Sequence, residues 1–273
     1  MLLLKILGVL LLLYVAAIFA LLRLETRMVF PAPQIDRSAL QAQAQALGAQ
    51  ERTVVTEDGV PLYGRRRGKS DKLALIFSGN GASVGQFGER EALFLELGFE
   101  TLHVNYRGYP GSPGTPSEAG LVLDGRAIYA EALRTHSPEN ILVFGKSLGG
   151  GVAIAALSGH ERPPAGLIVE SCFKSIAAVA FRRFPILPTG LLMRNPFDSL
   201  ARAPAVASPA LVLHSQSDDL IPFTHGQVLA QSLPDARLVA FDGLDHNADL
   251  LAEEAGRAAL LDFMEEISLR KAP

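Results

Sequence analysis

The sequence predicts an α/β domain built on a mostly parallel sheet with helices on both faces, preceded by one N-terminal apolar helix. Three observations predict it. Short apolar runs that read as buried strands alternate with helical patterns from about residue 54 to the end of the 273-residue chain. One Asp-Gly pair, Asp58-Gly59, marks a hairpin that supplies an antiparallel edge. The segment from Ile6 to Leu22 carries no charged residue, and Leu2 to Leu4 extend it with only Lys5 inside the run.

Taken in order, Leu2 to Leu22 is long enough for one membrane-spanning helix, which needs roughly 20 apolar residues. The competing assignment, a cleaved signal peptide, is disfavoured by the minimal basic start and by the lack of a small-x-small site before Arg23. A retained anchor is expected over residues 1–24, followed by a linker and short helix over 25–50 and the α/β domain over 51–273. Met28 to Pro33 is a proline-broken linker, and Asp36 to Leu47 a short helix ended by Gly48. Val54 to Glu57 and Val60 to Arg65 flank the two-residue turn Asp58-Gly59, and Arg65-Arg66-Arg67-Gly68-Lys69 reads as a solvated loop at the end of that hairpin. Strands follow at Leu73–Phe77, Glu100–Asn105, Ile141–Phe144, Gly166–Glu170, Pro209–His214 and Ala236–Phe241. Helices fall at Gly85–Leu97, Glu118–Leu133, Val152–Leu157 and Phe223–Leu233, with a last one from about Asn247 to Ile267. One stretch, residues 174–207, breaks the alternation. Its apolar residues, interrupted by Pro185, Pro188 and Pro196, suit either a lid over the site or ordinary packing on the core. As a lid it would line an apolar groove or touch a bilayer, with Arg182, Arg183 and Arg194 near head groups.

Chemistry concentrates on the loops that follow strands. Gly145-Lys146-Ser147-Leu148-Gly149 stands between an apolar strand and an alanine-rich helix, which is the context of a nucleophile elbow. Ser147 would sit on the strained turn, with the positive end of the helix beneath it. A carboxylate for the same rim comes from the loop after Pro209–His214, where Asp218 and Asp219 compete. His246, on the loop after the final strand, is placed to act as general base. His225 lies in a helix and reads as a surface residue, and His103, His136, His160 and His214 precede the acid and read as strand or surface residues. An oxyanion needs backbone N–H groups, and those of Asn80 and Leu148 form the natural pair.

These residues resemble an α/β-hydrolase, and more narrowly the membrane-anchored serine hydrolases that include acyl-protein thioesterases and monoacylglycerol or lysophospholipid lipases. The resemblance runs from about Arg52 to Met264. It is densest at Phe77 to Gly81, at Asn105 to Tyr109 with the Gly111 to Glu118 tract after it, at Gly145 to Gly149, at Asp218 to Pro222 and at Gly243 to His246. In the H-x-x-x-D-x-x-[VI]-P pattern of such enzymes, His214 and Pro222 select Asp218 as the acid. Two departures stand out: Ser78 occupies a place where these enzymes often carry His, which alters the hydrogen bonding of the oxyanion loop, and Pro110 interrupts a tract that usually reads Tyr-Gly.

Composition narrows the rest. A net charge of −3 without a basic stripe excludes a nucleic-acid partner. The one cysteine, Cys172, rules out an internal disulfide and reads as a small apolar filler. No Cys/His cluster or further glycine-rich loop implies a metal or a dinucleotide, so no cofactor is expected. The reading is a monomeric serine hydrolase of acyl esters or thioesters, tethered by its N-terminal helix. Ser147, His246 and Asp218 form the triad, and Asn80 and Leu148 the oxyanion hole. The alternatives are a serine peptidase on the same scaffold and a non-catalytic membrane-tethered binding module. Arg23, Arg27 and Arg37 after the span lean toward a cytoplasmic domain by the positive-inside rule, whereas signal-anchored bacterial hydrolases commonly face outward, so the side stays open.

Overall fold

The apolar runs pair into one eight-stranded sheet in the computed structural model, which describes residues 1–269. Its strands are β1 (Gln50–Val55), β2 (Pro61–Arg67), β3 (Leu73–Phe77), β4 (Glu100–Val104), β5 (Ile141–Lys146), β6 (Gly166–Glu170), β7 (Ala210–Ser215) and β8 (Ala236–Phe241). The order is β1-β2-β4-β3-β5-β6-β7-β8. The β1–β2 and β2–β4 pairings are antiparallel, and all the others are parallel. The chain thus leaves β3 toward β4 on one side and returns to β5 on the other. That reversal opens a crevice at the C-terminal ends of β3 and β5, the place where open α/β sheets bind ligands.

Each central strand is apolar on both faces because each face is covered. In β5, Ile141 and Val143 join one core layer while Leu142 and Phe144 join the other. The first layer includes residues of α4 (Glu118–Thr135), α5 (Leu148–Leu157) and α9 (Phe223–Ser232). The second includes residues of α3 (Gly88–Glu96) and α10 (Glu254–Leu269). Every residue of α5 is buried, so this helix carries no polar stripe at all. It begins at Leu148, directly after the serine, rather than at Val152.

The N-terminal helix α1 (Leu2–Val29) is long and apolar enough to cross a membrane. It continues past residue 22 into the first residues of the segment expected as a linker, and Val29 and Phe30 are buried in the main core. After α2 (Arg37–Ala46) comes the hairpin. Its loop holds three residues rather than two: Thr56 N–H donates to the Val60 carbonyl at 3.0 Å, and Gly59 takes φ +83°. That is a turn closed by a left-handed glycine, which an Asp-Gly pair serves as well as the shorter type.

The basic run also departs from expectation. Arg65 to Arg67 are the last residues of β2, extended by pairing with β4, and not a solvated loop. Arg65 is 2% exposed, and its Nε donates to Glu91 of α3 at 2.8 Å. A buried carboxylate on the neighbouring helix, which no local pattern announces, draws the guanidinium in. The last helix starts at Glu254 rather than near residue 247, because residues 245–253 form turns beside the site.

A second ion cluster, buried at Arg107 and Asp124 and exposed at Asp58, ties the hairpin to the sheet. Arg107, after β4, donates from Nε to Asp124 of α4 at 2.8 Å and from Nη1 to Asp58 of the hairpin loop at 2.7 Å. Asp124 is fully buried. Arg107→Ala leaves that buried carboxylate without a counter-charge, with only the backbone N–H of residue 107 still donating to it, so unfolding in urea should show a loss of about 3–5 kcal/mol. Adding Asp124→Asn should recover part of it.

Candidate active site

The sharpest local signal is a backbone one. Ser147, between β5 and α5, takes φ 50° and ψ −115°, a sparsely populated region that costs roughly 1–3 kcal/mol for a residue with a Cβ. The turn is held by Ser147 N–H, which donates to the Glu170 carbonyl at 2.8 Å, and by Gly150 N–H, which donates to the Ser147 carbonyl at 3.0 Å. The flanking glycines make it sterically feasible. A Cβ on Gly145 would lie 2.5 Å from the Gly149 carbonyl oxygen, and one on Gly149 would lie 2.1 Å from that of Phe77.

Two further loops converge on this hydroxyl. Beyond β7, Asp218 turns its carboxylate inward: Oδ1 accepts from Leu220 N–H at 3.0 Å and Ile221 N–H at 2.7 Å, and Oδ2 lies 2.9 Å from His246 Nδ1. Beyond β8, His246 brings its Nε2 to 3.1 Å from Ser147 Oγ. All three side chains are buried. Burial pushes the Asp218 carboxyl upward, but the hydrogen bonds of His214, His246 and Ile221 N–H outweigh it and hold the group well below the usual carboxylate range. Asp219 is exposed, and its carboxylate only receives the backbone N–H of His246 at 3.4 Å. A hydroxyl, an imidazole and a fixed carboxylate in this sequence can pass a proton from oxygen to nitrogen.

Asn80, on the loop after β3, and Leu148, the first residue of α5, stand beside Ser147 in the wall of the same groove. The two loops are in contact, since a Cβ on Gly79 would lie 3.4 Å from the Lys146 carbonyl oxygen and 3.6 Å from Ser147 Cβ. As the first helical residue, Leu148 has an N–H with no partner inside α5. Ser78 does not replace a histidine by its side chain; its carbonyl instead accepts from Tyr106 O–H at 3.0 Å, which anchors the loop from β4's C-terminal end.

The hydroxyl lies between two cavities. An apolar groove of about 590 Å³ is walled by α1, by Phe173 and by the segment expected as a lid. A smaller polar cleft of about 300 Å³ opens on the other side, where Gln86, Glu89, Arg90, Lys146 and Asn247 reach its wall. The segment expected as a lid folds into three short helices, α6 (Ile176–Arg183), α7 (Thr189–Leu192) and α8 (Ser199–Arg202). Arg182 and Arg183 line the groove, and Arg194 instead donates from Nε to Glu25 of α1 at 3.3 Å.

Sequence patterns missed a charged network behind the site. Lys146 Nζ donates to the carbonyls of Asn247 at 3.3 Å and Ala248 at 2.6 Å, and pairs with Glu170 at 2.8 Å. Arg90 bridges Glu170, at 3.0 Å, and Asp249. The one available signal was Glu170 itself, a carboxylate ending an otherwise apolar strand. His225 is also corrected: it is buried rather than on the surface, with Nδ1 accepting from Lys174 N–H at 3.3 Å, and burial next to Lys174 depresses its pKa to about 4. It faces the insert, which supplies the cover that an isolated helix would lack. Cys172 is buried, as a filler would be, and burial pushes its thiol up to about 12. Native protein at pH 8 should therefore resist iodoacetamide for hours and label fully only in denaturant, a difference that intact mass measures.

Comparison with known proteins comes to the same architecture. The family model described as serine aminopeptidase, S33, matches residues 68–194. The uncharacterized protein Rv2307c of Mycobacterium tuberculosis is 34% identical over 224 residues, covering 79% of this chain and 79% of that one. The lysophosphatidylserine lipase ABHD12 of Macaca fascicularis is 29% identical over 191 residues, 62% of this chain and 47% of its own length. Among solved structures, the esterase Pf2001 of Pyrococcus furiosus superposes with a TM-score of 0.69 at 19% identity, over 87% of this chain and 97% of that one.

Proposed function

The chain belongs to the α/β-hydrolase family, and from that premise we propose that it is a serine hydrolase of acyl esters or thioesters, acting on lipid or lipidated substrates at a membrane. The observation that carries the proposal is the hydrogen-bonded chain Ser147–His246–Asp218 opening directly into an apolar groove. Ser147 Oγ attacks the carbonyl carbon while His246 Nε2 takes its proton. The N–H groups of Asn80 and Leu148 receive the oxyanion. Collapse of the tetrahedral intermediate breaks the bond to the alkoxide or thiolate, which takes the proton back from His246. Water, activated by the same imidazole, then releases the acid from the acyl-enzyme. Asp218 keeps Nδ1 protonated throughout, so Nε2 is free to accept. In this reading α1 is a retained single-pass anchor, residues 51–273 form the catalytic domain with its lid over 174–207, and the protein works as a monomer without a cofactor.

The apolar groove and the lipase activity in a relative's name support a lipidic acyl group. A peptidase has its own support in the description of the matching family model. Purified full-length protein should label with a fluorophosphonate probe and turn over p-nitrophenyl esters in preference to aminoacyl p-nitroanilides. The reverse preference would favour the peptidase, and absence of labelling and of turnover would leave only a binding module.

A further inference from the structure

The helix that reads as an anchor is also part of the site. Along α1 the residues withdrawn from solvent are Tyr14, Ile18, Leu21, Leu22, Glu25 and Val29, with Thr26 beside them, spaced three and four apart on one face. From Ile18 to Val29 this stripe lines the groove that ends at Ser147, a run of about 16 Å at roughly 1.5 Å per residue. Its inner end is fixed by continuity: Val29 and Phe30 enter the core, and the Pro31 carbonyl oxygen lies 3.6 Å from where a Cβ on Gly81, in the Asn80 loop, would stand.

The outer half is bolted to the insert that forms the facing wall. Glu25 accepts from the backbone N–H groups of Arg194 at 2.9 Å and Asn195 at 2.8 Å, and the Leu22 carbonyl accepts from Arg194 Nη2 at 2.5 Å. Farther out, Tyr14 O–H donates to the Ile186 carbonyl at 3.0 Å. Ile186, at that end of the insert, is 78% exposed, and Leu11 and Val15 of α1, beside Tyr14 in the helix, are exposed as well. An apolar channel therefore runs from the buried serine to a mouth rimmed by apolar surface, and its length is marked off by successive turns of α1.

We propose that α1 is the ruler of the acyl site: one hydrocarbon chain lies along its Val29-to-Ile18 face, and the turn that the chain end reaches decides which chain lengths are accepted. This deepens the serine-hydrolase reading and rests on it. A bulky residue on an inner turn should cut off shorter chains than the same residue on an outer turn.

The test uses full-length protein in proteoliposomes, with p-nitrophenyl butyrate, octanoate, laurate and palmitate as substrates and active sites titrated with a fluorophosphonate. Leu22→Trp should lower kcat/KM for laurate and palmitate by about tenfold or more relative to butyrate, while Ile18→Trp does so for palmitate alone. Leu12→Trp, on the exposed face of α1, should keep the wild-type profile. The proposal is overturned if both groove variants keep that profile, if their cut-offs coincide, or if every ester including butyrate falls by the same factor. Wild-type protein that labels and hydrolyses no ester would strike the esterase reading instead, so the two failures are distinguishable.

Discussion

Ser147→Ala lowers kcat for ester hydrolysis by roughly 10³-fold or more and abolishes fluorophosphonate labelling, because only the oxyanion donors and substrate binding are left to act. The expected loss is chemical rather than structural. Alanine keeps the Cβ, so the backbone at φ 50° is strained to the same degree, and the hydroxyl's side-chain contact is with His246 Nε2 at 3.1 Å. Thermal unfolding of the variant should thus follow the wild-type curve while turnover disappears. Turnover by purified variant clearly above a mock preparation would remove Ser147 from the mechanism.

Asp218→Asn should reduce kcat by up to about 10⁴-fold, and Asp219→Asn by less than about tenfold. The two residues are chain neighbours with different surroundings. Asp218 is buried with Oδ2 2.9 Å from His246 Nδ1, where the proposed mechanism has it fix the tautomer, whereas Asp219 reaches the backbone N–H of His246 at 3.4 Å. An amide at position 218 presents either an oxygen with weaker pull on Nδ1–H or an N–H that forces the proton to Nε2, where it blocks the attack of serine. Because Oδ1 also caps Leu220 and Ile221, kinetics at matched folded fraction are needed to read the effect. A larger defect at Asp219 would move the acid by one residue.

The central sheet was legible because its physical cause is local. Apolar runs of five or six residues, such as Leu73–Phe77 and Ile141–Phe144, are strands in any fold that covers both faces of a sheet. Ser147, Asp218 and His246 were each legible as positions, since every one follows a strand and therefore reaches the same rim. What the pattern hid depends on partners far away in the chain. Arg65 reads as solvated until Glu91, on a helix 26 residues later, is seen to bury with it. Lys146 reads as an ordinary residue inside the Gly-x-Ser-x-Gly run until Asn247 and Ala248 offer it their carbonyls. The same blindness made α1 look like a plain tether: its composition fits lipid, and it takes distant partners such as Arg194 and Asn195, which bind Glu25, to show a helix joined to the domain rather than hung from it.

The Lys146 contacts bear on a part of the site that regular structure does not support. Residues 245–253 carry the imidazole yet form only turns, and a segment with few ladder hydrogen bonds retains many conformations in the unfolded chain that must be given up on folding. Holding it through an ammonium that grips two of its carbonyls, and through Arg90 bound to Asp249, restricts those conformations before any substrate arrives. Both cations are anchored on the same Glu170 carboxylate, whose backbone carbonyl also receives the N–H of Ser147. One buried acid thereby links the order of the loop to the position of the serine, although Ser147 Oγ and His246 Nε2 belong to residues 99 positions apart. The disorder of a nine-residue segment is removed once, during folding, rather than in every catalytic cycle.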